Sequence, residues 1–175
     1  MNNQREKKTR TEAFVSFIIE RINNDKGIAA ALRRADNPAT EYQCWEQLAA
    51  FNIQLDNSNE RLPFATVAAA IAKAKVEKNG TAGIGQALAD CYDDRCENDQ
   101  AKSKLRRLLA CDSIDEACRI LRPLFSLIHS RTEINLDYAQ ILDDLLNFNF
   151  RKQQIKSRWA QNFYKKSVKD KEATS

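Results

Sequence analysis

A chain of 175 residues is long enough for one compact domain or two small helical lobes, and 43% hydrophobic residues suffice for a core. Four glycines and three prolines disfavour a β-rich or loop-rich fold. No apolar run approaches the roughly 20 residues of a membrane span, and a single histidine gives zinc chemistry little support. The net charge of +4 divides into segments of +4, −6, +4, −4 and +6 over residues 1–34, 35–100, 101–131, 132–150 and 151–175. Such segregation suits a basic stripe for phosphates beside acidic faces for proteins, although each block alone also reads as a solvated helix face.

The polar start MNNQREKKTR is no signal peptide, and residues 1–10 are expected to be disordered. Thr11 to about Asn24 reads as a helix with Phe14, Phe17, Ile18 and Ile22 on one face. Gly27 is expected to break it before a short helix over 28–35. Arg33 and Arg34 end that helix, where cations also meet the negative pole of the helix dipole.

A third helix is expected over 41–51, with Tyr42, Trp45, Leu48 and Ala49 as its buried edge. Pro63 suits the first turn of the next helix, which packs Phe64, Val67, Ala68 and Ile71 and stops near Asn79 and Gly80. Another short helix starts around Gly85, and the acidic stretch 90–99 reads as a loop joining two lobes.

Residues 101–128, AKSKLRRLLACDSIDEACRILRPLFSLI, read as a helical hairpin. Leu105, Leu108 and Leu109 form one apolar edge, and Ile114, Cys118, Leu121, Phe125 and Ile128 form another. Ser113 and Glu116 match the capping box that opens the second arm. Lys102, Lys104, Arg106, Arg107, Arg119 and Arg122 are expected on the faces away from the core, and Pro123 is expected to kink the helix. Asn135 can cap a helix containing Leu136, Ile141, Leu142, Leu145 and Phe148. The last helix, about 150–164, buries Ile155, Trp159 and Phe163, while Arg151, Arg158 and Lys165 form one row and Lys152 and Lys156 another. The basic tail is expected to be disordered.

Catalytic chemistry has little to work with. His129 has no nucleophile motif nearby, and the neighbours Asp93–Asp94 and Asp143–Asp144 point in different directions on a helix. The GIG of 83–85 lacks the strand and GK[ST] of a phosphate loop. Cys44, Cys91, Cys96, Cys111 and Cys118 are odd in number, contain no CxxC pair, and read as reduced thiols of a cytoplasmic protein. The three basic clusters, Arg33–Arg34, Lys102 to Arg122 and Arg151 to Arg158, could line one groove for a nucleic-acid backbone without base readout. The hairpin's glycine-free corner gives a helix-turn-helix little support.

Five islands taken in order, AALRRADNPA, YQCWEQLAAF, TAGIGQALAD, KLRRLLACDSIDEACRILRPLFSLI, and LDYAQILDDLLNF with KSRWAQNFY, resemble the small subunit of type I-E Cascade, the CRISPR-associated CasB family. The resemblance spans roughly 28–164. It implies a non-catalytic, all-α helical bundle in two lobes; no cofactor and no metal are expected. It also implies a dimer along the crRNA-guided complex, touching the backbone and large subunits and stabilising crRNA-paired target DNA and the displaced strand.

Carried over by position, the nucleic-acid residues implied are Arg33, Arg34, Arg106, Arg107, Arg119, Arg122, Arg151 and Lys152, with Arg61 a further candidate. The basic rows add Lys102, Lys104, Lys156 and Arg158. The expected organisation is a disordered 1–10, an N-terminal lobe 11–98, a C-terminal lobe 99–165 and a disordered tail 166–175. The rival readings are a stand-alone DNA-binding regulator and a structural adaptor that uses its arginines for protein contacts.

Overall fold

A computed structural model describes residues 8–165. Both expected disordered ends lie largely outside that range, although Thr9 caps the first helix and Arg10 opens it. The architecture is all-α, as expected. In chain order the helices are α1 (Arg10–Asn24), α2 (Lys26–Arg34), α3 (Trp45–Ala50), α4 (Ser58–Ala74), α5 (Ile84–Asp90), α6 (Asp99–Ala110), α7 (Ile114–Arg131), α8 (Tyr138–Leu146) and α9 (Phe148–Tyr164). A lone parallel bridge pairs Ala82 with Leu136.

The chain divides into two compact units. The first is Met1–Asn79 with Tyr138–Leu146, and the second is Gly80–Asp137 with Asn147–Ser175. The division falls at Asn79 and Gly80, whereas the sequence reading placed the join within 90–99. In the first unit α4 is the central helix. Ten consecutive residues from Pro63 to Ala72 are buried, because small alanines admit α1, α2 and α8 on several sides. Phe14 meets Phe64 edge-on at 4.7 Å and Phe51 at 5.1 Å. The second unit buries Leu88, Leu105, Leu121, Phe148, Trp159 and Phe163.

Several local expectations are corrected. The break between α1 and α2 is Asp25, not Gly27. Its extended backbone ends one helix, and its carboxylate accepts the N–H groups of Gly27 and Ile28 to start the next. The third helix is a 3-10 segment, Pro38–Cys44, followed by α3. Its inward residues are Glu41, Cys44, Gln47 and Leu48, while Tyr42, Trp45 and Ala49 are exposed. α4 begins at Ser58, capped by Asn57, so Pro63 lies beyond its first turn. It ends at Ala74 because Lys75 adopts a left-handed φ of 50°. α7 runs on past Pro123, and Ser113 does accept the Glu116 N–H, but the Glu116 carboxylate reaches the N–H of Asp112.

α8 is not capped by Asn135. The Asn79 side-chain oxygen accepts the N–H of Tyr138 at 2.8 Å and of Ala139 at 3.4 Å, from 59 and 60 residues away. Asn79→Ala should therefore cost the first unit about 1 kcal/mol, read as a lower denaturation midpoint.

Candidate nucleic-acid interface

α6 is started by Asn98, whose side chain accepts the N–H groups of Gln100 and Ala101. Burial of Ala101, Leu105 and Leu108 then fixes the helix's rotation and spreads its cations over two flanks. Lys102 and Arg106, four apart, share one flank, and Lys104 and Arg107, three apart, share the other. Lys102 pairs with Glu97 at 3.3 Å. Arg106 and Arg107 are exposed and have no hydrogen-bond or ion-pair partner among the described residues. Arg119 on α7 is likewise exposed and unpartnered among them.

Arg122 corrects an expectation. It is 9% exposed and belongs to the buried side of α7, together with Leu121 and Phe125.

α9 contains no aspartate or glutamate. Lys152 and Lys156 lie one turn apart over the ring of Phe148, at 5.8 and 5.9 Å. Both reach the Asp112 carboxylate, at 3.6 and 3.8 Å, and Lys152 also donates to the Asp112 carbonyl. The Asp112 side chain is 83% exposed, so these pairs are worth at most about 1 kcal/mol, and a phosphate can displace the carboxylate. Arg151 is exposed, with non-helical φ −127° and ψ 26°, and Arg158 is half-buried.

In the first unit, Arg33 and Arg34 stand at the end of α2, and Arg34 donates to the Gln43 side chain at 3.3 Å. Arg33 lines a recess of about 620 Å³ with Lys26, Lys75, Asn23 and an apolar floor of Ile22, Ala29 and Ala72. Sequence reasoning passed over Lys26 and Lys75. The Lys26–Ala29–Arg33 spacing on one helix face was the available signal for the first, whereas the left-handed turn that positions Lys75 has none.

Arg61 is committed inward. It pairs with the buried Glu41 at 2.9 Å, donates to the Leu55 carbonyl and lies over the Trp45 ring at 5.7 Å.

No group of three or more metal-ligating side chains occurs among the described residues, and no helix there is long and apolar enough to cross a membrane. None of the five cysteines forms a disulfide. Burial pushes the thiols of Cys91 and Cys111 up, and nearby cations, Arg131 and Lys104 for Cys91 and Lys156 for Cys111, only partly oppose it. Both are therefore weak nucleophiles at neutral pH. Cys96 alone is not buried. A maleimide reagent at neutral pH is expected to modify Cys96 first, with the other four following only on unfolding, as peptide mass mapping would read.

The fold and this surface define a class: an all-α protein of two units, the second carrying an acid-free basic helix and a hairpin with free arginines. The family model of CRISPR-associated protein Cse2 matches residues 29–164, and the chain belongs to that family. The resemblance read from the sequence islands is thereby borne out. CasB from M. ruber shares 22% identity at a TM-score of 0.71, covering 97% of this chain and 99% of that one. CasB from Thermus thermophilus also shares 22% at 0.71, covering 90% and 99%. A chain of a CRISPR RNA-guided surveillance complex shares 23% at 0.71, covering 95% and 98%. At these identities the likeness establishes the fold. No curated protein matches.

Proposed function

We propose that this chain is the non-catalytic small subunit of a type I-E CRISPR surveillance complex, working in the reducing cytoplasm. It associates there with the backbone and large subunits and with a second copy of itself. It holds crRNA-paired target DNA and the displaced strand by their phosphates, without reading bases. Family membership supports the assembly. The observation that carries the nucleic-acid reading is that Arg106, Arg107, Arg119 and Arg151 are exposed with no carboxylate partner among the described residues. A guanidinium left in water is free to bind a phosphate bidentately.

The adaptor reading draws on a different set of cations. Arg10, Arg61, Lys73 and Arg95 pair with Glu60, Glu41, Asp36 and Asp90 within their own units. Those four serve the fold, which leaves Arg106, Arg107, Arg119 and Arg151, exposed in the second unit with no ion pair among the described residues, as the discriminating set. The experiment is binding of the purified full chain to single-stranded DNA of two unrelated sequences over a salt series. Equal affinity for both sequences and a steep salt slope support backbone binding. A preference for one sequence would point to the stand-alone regulator, and no binding even at low salt would point to the adaptor.

A further inference from the structure

Phe150 is 88% exposed, far more than Tyr42, Trp45 or Tyr164, the other large exposed apolar side chains. A single exposed apolar residue is ordinary; its setting here is not. Two residues earlier Phe148 is fully buried and stacks on Trp159 at 6.0 Å, anchoring the start of α9. The Asn147 carbonyl then accepts the N–H groups of both Phe150 and Arg151, at 3.0 and 2.9 Å. Arg151 leaves helical geometry at that point. Phe150 and the exposed Arg151 are therefore presented together at a backbone break that is pinned from behind. Asn149, Gln153 and Gln154 around them are exposed amides, and α9 supplies no carboxylate.

We propose that Phe150 is a stacking platform for an unpaired base, with Arg151 taking the adjoining phosphate. This rests on the nucleic-acid reading above and adds a base-stacking contact to it. The charge around the ring selects the occupant. An apolar anchor for a protein partner needs no acid-free helix beneath it, whereas a polyanion is favoured by one, and a flat π-face beside a guanidinium matches a base beside its phosphate. In a duplex both faces of each base are already covered, so the ring can engage only single-stranded or flipped-out bases. Amides nearby tolerate any base edge, in keeping with binding that ignores sequence.

The test uses the full chain, a mixed-sequence single strand carrying 2-aminopurine, and the same sequence as duplex. Phe150→Ala should weaken single-strand binding about 5- to 100-fold. It should also abolish the quenching of 2-aminopurine and leave duplex affinity unchanged. The salt slope should stay as in wild type, because no charge is removed, while Arg151→Ala should flatten it by about 0.7. Phe150→Trp should retain binding. Because the ring is so exposed, circular dichroism should show every variant folded. The proposal is overturned if Phe150→Ala binds the single strand as wild type does, or loses single strand and duplex equally. If wild type binds neither, the nucleic-acid reading falls too, a distinct and visible result.

Discussion

Gly85→Ala is expected to destabilise the second unit by about 3 kcal/mol or more, lowering its melting temperature by roughly 12–24 °C. Gly85 lies in α5 where that helix packs on α9, and a Cβ there would stand 2.0 Å from the Trp159 carbonyl oxygen and 2.9 Å from the Phe163 nitrogen. Both obstacles are backbone, so no rotamer change relieves them and the two helices must move apart. Separation would loosen Trp159 and Phe163, two of the largest side chains buried in this unit. Alanine's better helix propensity returns at most about 1 kcal/mol, so the clash decides the sign. Gly27→Ala is the control. A Cβ there meets only the Asp25 carboxylate, at 3.0 Å, and the change should stay under about 1 kcal/mol. Calorimetry of both variants checks this, and equal melting temperatures would mean that α5 and α9 do not pack backbone to backbone.

Replacing Arg106, Arg107, Arg119 and Arg151 together with alanine should have the largest effect on function. Each single-strand phosphate neutralised contributes about −0.7 to the log–log salt slope, so losing four flattens it by up to about 3. At ~50 mM monovalent salt the same arithmetic weakens binding by up to about 4,000-fold. Stability should barely move, because exposed side chains without partners change it by no more than about 0.5 kcal/mol each. That contrast separates the two readings of the arginines. If affinity and slope stay at wild-type values while assembly with other subunits fails, these residues serve protein contacts. If affinity collapses in a folded variant, they meet phosphate.

The cations that differ in accessibility show why the site was only partly legible in advance. As residue types Arg61, Arg107 and Arg122 are alike, and each falls in or beside a helix with an apolar stripe. Arg61 is taken up by Glu41, twenty residues earlier, and Lys152 by Asp112, forty residues earlier. Arg122 lies on the buried side of α7. Partnership at such separations leaves no local trace. Phe150 shows the same limit: spacing left it off the buried edge of the last helix, and nothing local said that it would stand 88% exposed.

Most helices were legible because their burial is periodic. The stripes of Phe14 and Ile18, of Leu105 and Leu108, and of Ile155, Trp159 and Phe163 all face inward where spacing placed them. Spacing misleads where residue type and burial part company. In α3 and the turn before it, Glu41 and Gln47 point in while Tyr42 and Trp45 face out, since Arg61 neutralises the one acid and holds the indole beneath its guanidinium. In α4 the stripe disappears because alanine lets neighbours approach on nearly every side. Helix class, the series of islands and the abundance of unneutralised cations were thus determined by the sequence itself, through propensity and spacing that act over a few residues. Which cations stay free, where the chain divides, and the return of α8 to the first unit, capped there by Asn79, were decided only by the tertiary structure. Those outcomes depend on partners tens of residues away, whose meeting is a property of the packed whole.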